Sequence, residues 1–200
     1  MGQAAVVTGV MMLAMMLPVV SPWVLAFPRA AHERSAGGSS SLRAWAFLLG
    51  YGAAWLAYSG LAAGGQLVLQ RAALLSRAGV ITSPGIAGEL LLLAGVYQLT
   101  PQRDACMLHC RSPMAFFLTR WREGYWGAFT MGARHGVYCL GCCWALMALS
   151  FVFGLMNLAW MAVLTGFLVV EKATSAGPWM GRAAGVLLLA CAALTLVRAM

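Results

Sequence analysis

Apolar residues run along this chain in long blocks, separated by short polar segments, and several blocks are of membrane-crossing length. A bilayer-spanning helix needs about 20 mostly apolar residues. Six blocks fit, over about residues 3–27, 42–64, 84–99, 125–150, 152–171 and 182–197. The pattern predicts an all-α, polytopic helical membrane protein with about six transmembrane helices, and residues 1–200 read as a single integral membrane domain. The fourth and fifth blocks are almost continuous, so the break near Ser150–Gly154 is expected to be a tight hairpin. The first block lacks a basic leader and exceeds the usual length of a signal-peptide core, so it reads as a span. Pro18 within it removes a helical donor and predicts a kink.

The connections differ in character. Residues 28–41 are polar and read as a flexible linker. Residues 66–79 mix leucines with Arg71 and Arg77 and fit an amphipathic helix in the interface. Residues 101–124 form the most informative expected loop, because they hold Cys106, His109 and Cys110.

Composition supports the membrane reading. The chain is 62% hydrophobic and only 9% charged, against about 25% charged in soluble domains. Too few charges remain to clothe a water-facing surface, so lipid is the expected partner. The formal charge of +8 would suggest nucleic acid in a soluble protein. Here the basic residues set topology instead, and no nucleic-acid partner is expected. Arg29, Arg34, Arg43, Arg103, Arg111, Arg120, Arg122, Lys172 and Arg182 follow the odd-numbered spans, whereas Arg71, Arg77 and Arg198 lie on the other side. That imbalance predicts termini outside and the first set facing the cytoplasm.

Six cysteines change the picture further. Five lie between Cys106 and Cys143, and only Cys191 stands apart. Disulfide frameworks belong mainly to small secreted domains, so this clustering points to thiol chemistry or a metal. In the fourth span, Met131, His135, Cys139, Cys142 or Cys143, and Met147 recur at helical spacing. The stripe covers roughly 24 Å. Thiolate, thioether and imidazole suit Cu(I) or zinc. Each methionine alone is an ordinary packing residue. A histidine inside a span is costly and marks a functional site, and Cys139 lies one turn away.

The Cys106-x-x-His109-Cys110 set is a second donor group, expected to close over His135 and Cys139 from the same side. It is not the Cys-x-x-Cys-His of c-type haem attachment. Met11, Met12, Met15 and Met16 stack at helical spacing and offer a thioether path for Cu(I), or simple packing. Glu89 and Asn157 are further polar groups within spans, while Glu171-Lys172 reads as an interfacial anchor. A phosphate-binding loop, a zinc-protease helix and serine-nucleophile motifs are missing, which argues against an autonomous ATP-driven pump.

Several stretches together resemble a bacterial family of predicted metal-binding integral membrane proteins, a domain of unknown function. They are Met11-Met-x-Ala-Met-Met-x-Pro18, Tyr97-Gln-Leu-Thr-Pro101, Cys106-x-x-His109-Cys110-Arg-Ser-Pro113 and Trp121-Arg122-x-Gly124. They continue with Met131-Gly-x-x-His135-Gly-x-Tyr-Cys139-x-Gly-Cys142-Cys143-Trp144, Met156-Asn157-Leu-x-Trp160-Met161 and Glu171-Lys172, and together they span about 160 residues. The resemblance implies metal binding and names no substrate or reaction.

The expected function is handling, transfer or transport of a soft transition metal. Methionine richness favours copper, with zinc the alternative. The expected ligands are Cys106, His109, Cys110, His135 and Cys139, then Cys142 and Cys143, with Met11, Met12, Met15 and Met16 as a transit site. A metal donor or acceptor protein, or another membrane subunit, would be the partner. The rival readings are a thiol-redox or metal-dependent oxidoreductase, with haem on His109 or His135 still open, and a structural subunit stabilised by metal.

Overall fold

The computed structural model describes residues 2–33, 39–76, 79–154 and 157–199, with side chains of residues 2–8 and 33 excepted. Arg34, Arg77 and Met156 lie outside the described residues. The described chain is helical: α1 (Gly2–Glu33), α2 (Ser40–Arg71), α3 (Pro84–Gln98), α4 (Pro101–Arg111), α5 (Pro113–Arg120), α6 (Gly124–Ala148), α7 (Ser150–Phe153), α8 (Leu158–Ala173) and α9 (Gly177–Ala199).

Four segments are long and apolar enough to cross a membrane: Gly9–His32, Ser40–Arg71, Gly124–Phe153 and Gly177–Ala199. The blocks expected over 84–99 and 152–171 form α3 and α8, of 15 and 16 residues. At 1.5 Å per residue these reach only about 22–24 Å.

Local chemistry explains most boundaries. Pro84, Pro101 and Pro113 occupy first helical positions, where the missing N–H costs nothing. The region expected as a loop over 101–124 is therefore two helices. Asp104 in the first turn of α4, and His109 and Arg111 in its last, complement the helix dipole. α1 runs on through the expected linker to Glu33, and α2 continues past residue 64 to Arg71. Beyond Arg71 the expected amphipathic helix is replaced by irregular chain, in which Leu75 and Ile81 form an isolated bridge. The hairpin after α6 is made by α7 and Gly154, whose φ of 101° suits glycine. Asn157 then caps α8, its side-chain oxygen accepting from the Trp160 N–H at 3.1 Å.

The chain divides into two compact units. The first comprises Met1–Gly60 and Ala105–Cys142. There α2 and α6 approach backbone to backbone: a Cβ at Gly132 would collide with the Phe47 carbonyl, and one at Gly50 with that of Phe129. Such small-residue contacts let two helices pack closely. Trp23 and Phe27 of α1 meet Phe116 and Phe117 of α5 edge to face.

The second unit comprises Leu61–Asp104 and Cys143–Met200. Here α3 packs along α9, with Gly88 against Leu196 and Gly95 against Leu189. Arg103, expected as a loop charge, and Glu171, expected as an interfacial anchor, are instead fully buried and ion-paired with each other. Asp104 stands 3.6 Å from Arg103 and 3.7 Å from Arg182, extending the pair toward the surface. Burial requires such pairing, because an isolated charge away from water is prohibitively costly. Glu89 is exposed on α3.

Candidate metal centre

Helix α6 turns Cys139, Cys142 and Cys143 inward, and all three are buried. Their sulfurs lie within 4.8 Å of one another. Because the three sit on one continuous helix, their grouping follows from the i, i+3, i+4 geometry itself. Metal–thiolate bonds of about 2.3 Å at trigonal angles require sulfurs about 4.0 Å apart. Small side-chain adjustments therefore suffice to gather them on one ion. At present the Cys142 thiol donates to the Cys139 carbonyl at 3.0 Å, a bond surrendered on deprotonation.

A further thiol comes from α4. Cys110 is buried, with its Sγ 3.9 Å from that of Cys142. One turn earlier, Cys106 is half-buried against Gly141, where an added Cβ would stand only 2.6 Å from its Sγ. Glycine at 141 thus makes room for the α4 thiol. Burial, and secondarily the charge of Cys142, push the Cys106 thiol above its ordinary pKa. None of the described cysteines is joined in a disulfide.

The two expected histidine ligands are placed differently. His109 is exposed, its Nδ1 paired with the Ala105 carbonyl at 2.9 Å and its ring stacked 4.4 Å from Tyr138. His135 is buried in an aromatic box. Trp23 stacks on it at 3.6 Å, with Tyr51 at 5.6 Å and Phe47 and Phe116 both at 6.1 Å. The Tyr51 hydroxyl in turn lies 3.4 Å from the Cys139 sulfur. So His135 and Cys139 share Tyr51 as a neighbour, and His135 is not part of the grouped donors. Nothing in the sequence pattern of α1 or α2 singled out Trp23 and Tyr51, since aromatic residues are common throughout the spans.

The methionines singled out by the sequence are mostly buried. Met12, Met15 and Met16 of α1 are buried and Met11 half-buried, as Met131 and Met147 of α6 are buried. The Ser59 hydroxyl donates to the Met12 sulfur at 3.5 Å, so this thioether faces a polar neighbour on α2.

The arrangement can hold a soft, monovalent cation. Three thiols from one helix and a fourth from α4 offer two- or three-coordinate thiolate ligation, the preference of Cu(I). No curated protein and no solved structure matches this chain. A family model described as PpoB2, copper chaperone, matches residues 6–195, nearly the whole chain. The protein therefore belongs to the PpoB2 copper chaperone family.

Proposed function

We propose that the protein is an integral membrane Cu(I) chaperone that holds copper on the α6 thiols and passes it to an acceptor protein. The observation that carries the reading is the buried grouping of Cys139, Cys142 and Cys143, with Cys110 3.9 Å from Cys142. Cys106 sits at the half-exposed rim and is the exchange ligand, while His109 and His135 stand apart from the grouped thiols as secondary donors. Met11, Met12, Met15 and Met16 form the transit site, because thioethers bind Cu(I) weakly without losing a proton.

Membrane insertion is supported by four crossing-length helices and by outward apolar side chains such as Leu25, Leu61, Val137, Leu187 and Val197. We take α3 and α8 as the remaining two of six crossings. A stretch shorter than the hydrocarbon core is accommodated by local thinning of the bilayer. Termini outside and Arg120, Arg122, Lys172 and Arg182 inside follow from the positive-inside rule, in a bacterial inner membrane.

The test has two parts. After alkaline washing of membranes, the full chain stays in the pellet; recovery in the supernatant contradicts insertion. In detergent, Met12→Leu/Met15→Leu/Met16→Leu slows copper release to the chelator bathocuproine disulfonate about ten-fold, with equilibrium affinity within about two-fold. Unchanged release removes the transit role.

A further inference from the structure

Three arginines line one cavity, and among the described residues no carboxylate pairs with them. Arg120 at the end of α5, Arg122 in the following link and Arg134 on α6 line one cavity of about 160 Å³, together with Thr130, Phe116 and Met131. A single water needs only roughly 10–15 Å³, so a tetrahedral oxyanion fits. Among the described residues none of the three forms an ion pair. Glu123, the acid adjacent to Arg122, points elsewhere: it accepts from the Trp121 indole at 2.7 Å and stands 3.9 Å from Arg43.

Arg134 is the decisive residue. It lies ten residues after Gly124 in a membrane-length helix, about 15 Å along its axis. Its Nε donates to the Tyr138 hydroxyl at 3.4 Å. Topology explains arginines in links, as at Arg120 and Arg122, but not one within a span that joins them around a common cavity. A charge there is costly and calls for a partner. Three guanidiniums repel one another unless an anion neutralises them, and their planar forks match phosphate oxygens.

The level of the cavity identifies the source: Arg120 and Arg122 precede α6, and the long Arg134 side chain shares their cavity by reaching back toward the helix start. Tyr125 and Trp126 begin α6 exposed, as Trp45 does near the start of α2. Exposed Trp and Tyr at helix ends mark the headgroup layer. The link is also fixed in place, since a Cβ at Gly127 would stand 2.6 Å from the Arg122 carbonyl oxygen.

We propose that Arg120, Arg122 and Arg134 form a phosphate-oxyanion site that takes the headgroup of an anionic phospholipid. The source of the phosphate rests on the membrane reading above; the chemistry of the site does not.

The experiment titrates the full chain in neutral detergent with short-chain phosphatidylglycerol, short-chain phosphatidylcholine and inorganic phosphate, measuring copper per chain in the same preparations. Phosphatidylglycerol binds at least about ten-fold more tightly than phosphatidylcholine, and Arg120→Gln/Arg134→Gln weakens it by about ten-fold or more. Arg134→Lys, which keeps the charge and loses the fork, falls between. The control Arg29→Gln/Arg198→Gln changes affinity by less than about two-fold. Competition by inorganic phosphate would identify free phosphate as a sufficient ligand, whereas no competition assigns the lipid headgroup. Equal phosphatidylglycerol affinity in the wild type and Arg120→Gln/Arg134→Gln overturns the site, as does an equal loss in the control. Should the double variant fail to fold, Arg134→Lys decides: wild-type affinity there overturns the site. Unchanged copper content in variants that lose lipid separates this proposal from the copper reading.

Discussion

The two compact units bury reactive groups of opposite character. In the first, the buried groups on α6 and α4 are soft: Cys139, Cys142 and Cys110, beside the stacked His135. In the second, which begins again at the last of the α6 thiols, Cys143, the buried charged groups are hard: Arg103 and Glu171, ion-paired at zero exposure. A neutral thiol enters an apolar interior as a small hydrophobe and retains its capacity to ligate. A charge enters only when its partner comes with it, and each then holds the other in place. The soft cluster is therefore suited to receive a cation and the hard pair to hold helices together. A copper carrier needs the first kind of burial at its site and benefits from the second elsewhere.

The largest effect expected from breaking this contrast lies at the ion pair. Glu171→Gln leaves Arg103 buried without a counter-charge and lowers stability by about 3–5 kcal/mol. Thermal unfolding monitored by tryptophan fluorescence reads the change, and an unchanged midpoint would show the pair to be dispensable. Cys110→Ser acts in the opposite sense. It weakens Cu(I) binding about ten-fold, or ~1.4 kcal/mol, with stability within about 1 kcal/mol of wild type. Competition against a Cu(I) chelator measures it, and wild-type affinity would confine the site to α6.

The smallest effect concerns Cys106. Its raised pKa keeps the thiol protonated at neutral pH, so in the metal-free, reduced protein it alkylates more slowly than a free thiol. The rate should climb as pH rises through and above the ordinary thiol range. A rate already at its plateau at neutral pH would contradict that protonation state.

Much of the helical architecture was legible because apolar blocks of membrane length leave few alternatives. The cysteine groups were legible as candidate donors because Cys139, Cys142 and Cys143 lie at helical spacing and Cys106, His109 and Cys110 crowd one short motif. What was hidden depended on contacts distant in sequence. Arg103 looks like any basic residue near a span end until Glu171, 68 positions later, is placed beside it. Trp23 stacks on His135 across more than a hundred residues, and no local pattern encodes that meeting. The helices of 101–124 were a different omission. Pro101 and Pro113, each opening a helix, were visible signals, but the polar composition of the stretch outweighed them.

Elemental analysis of the anaerobically purified, Cu(I)-loaded full chain beside Cys139→Ala/Cys142→Ala tests the central claim most directly. The α6 thiol site predicts about one tightly held copper per wild-type chain, absent from the folded variant. Equal copper in both proteins, or zinc in place of copper in the wild type, would contradict it.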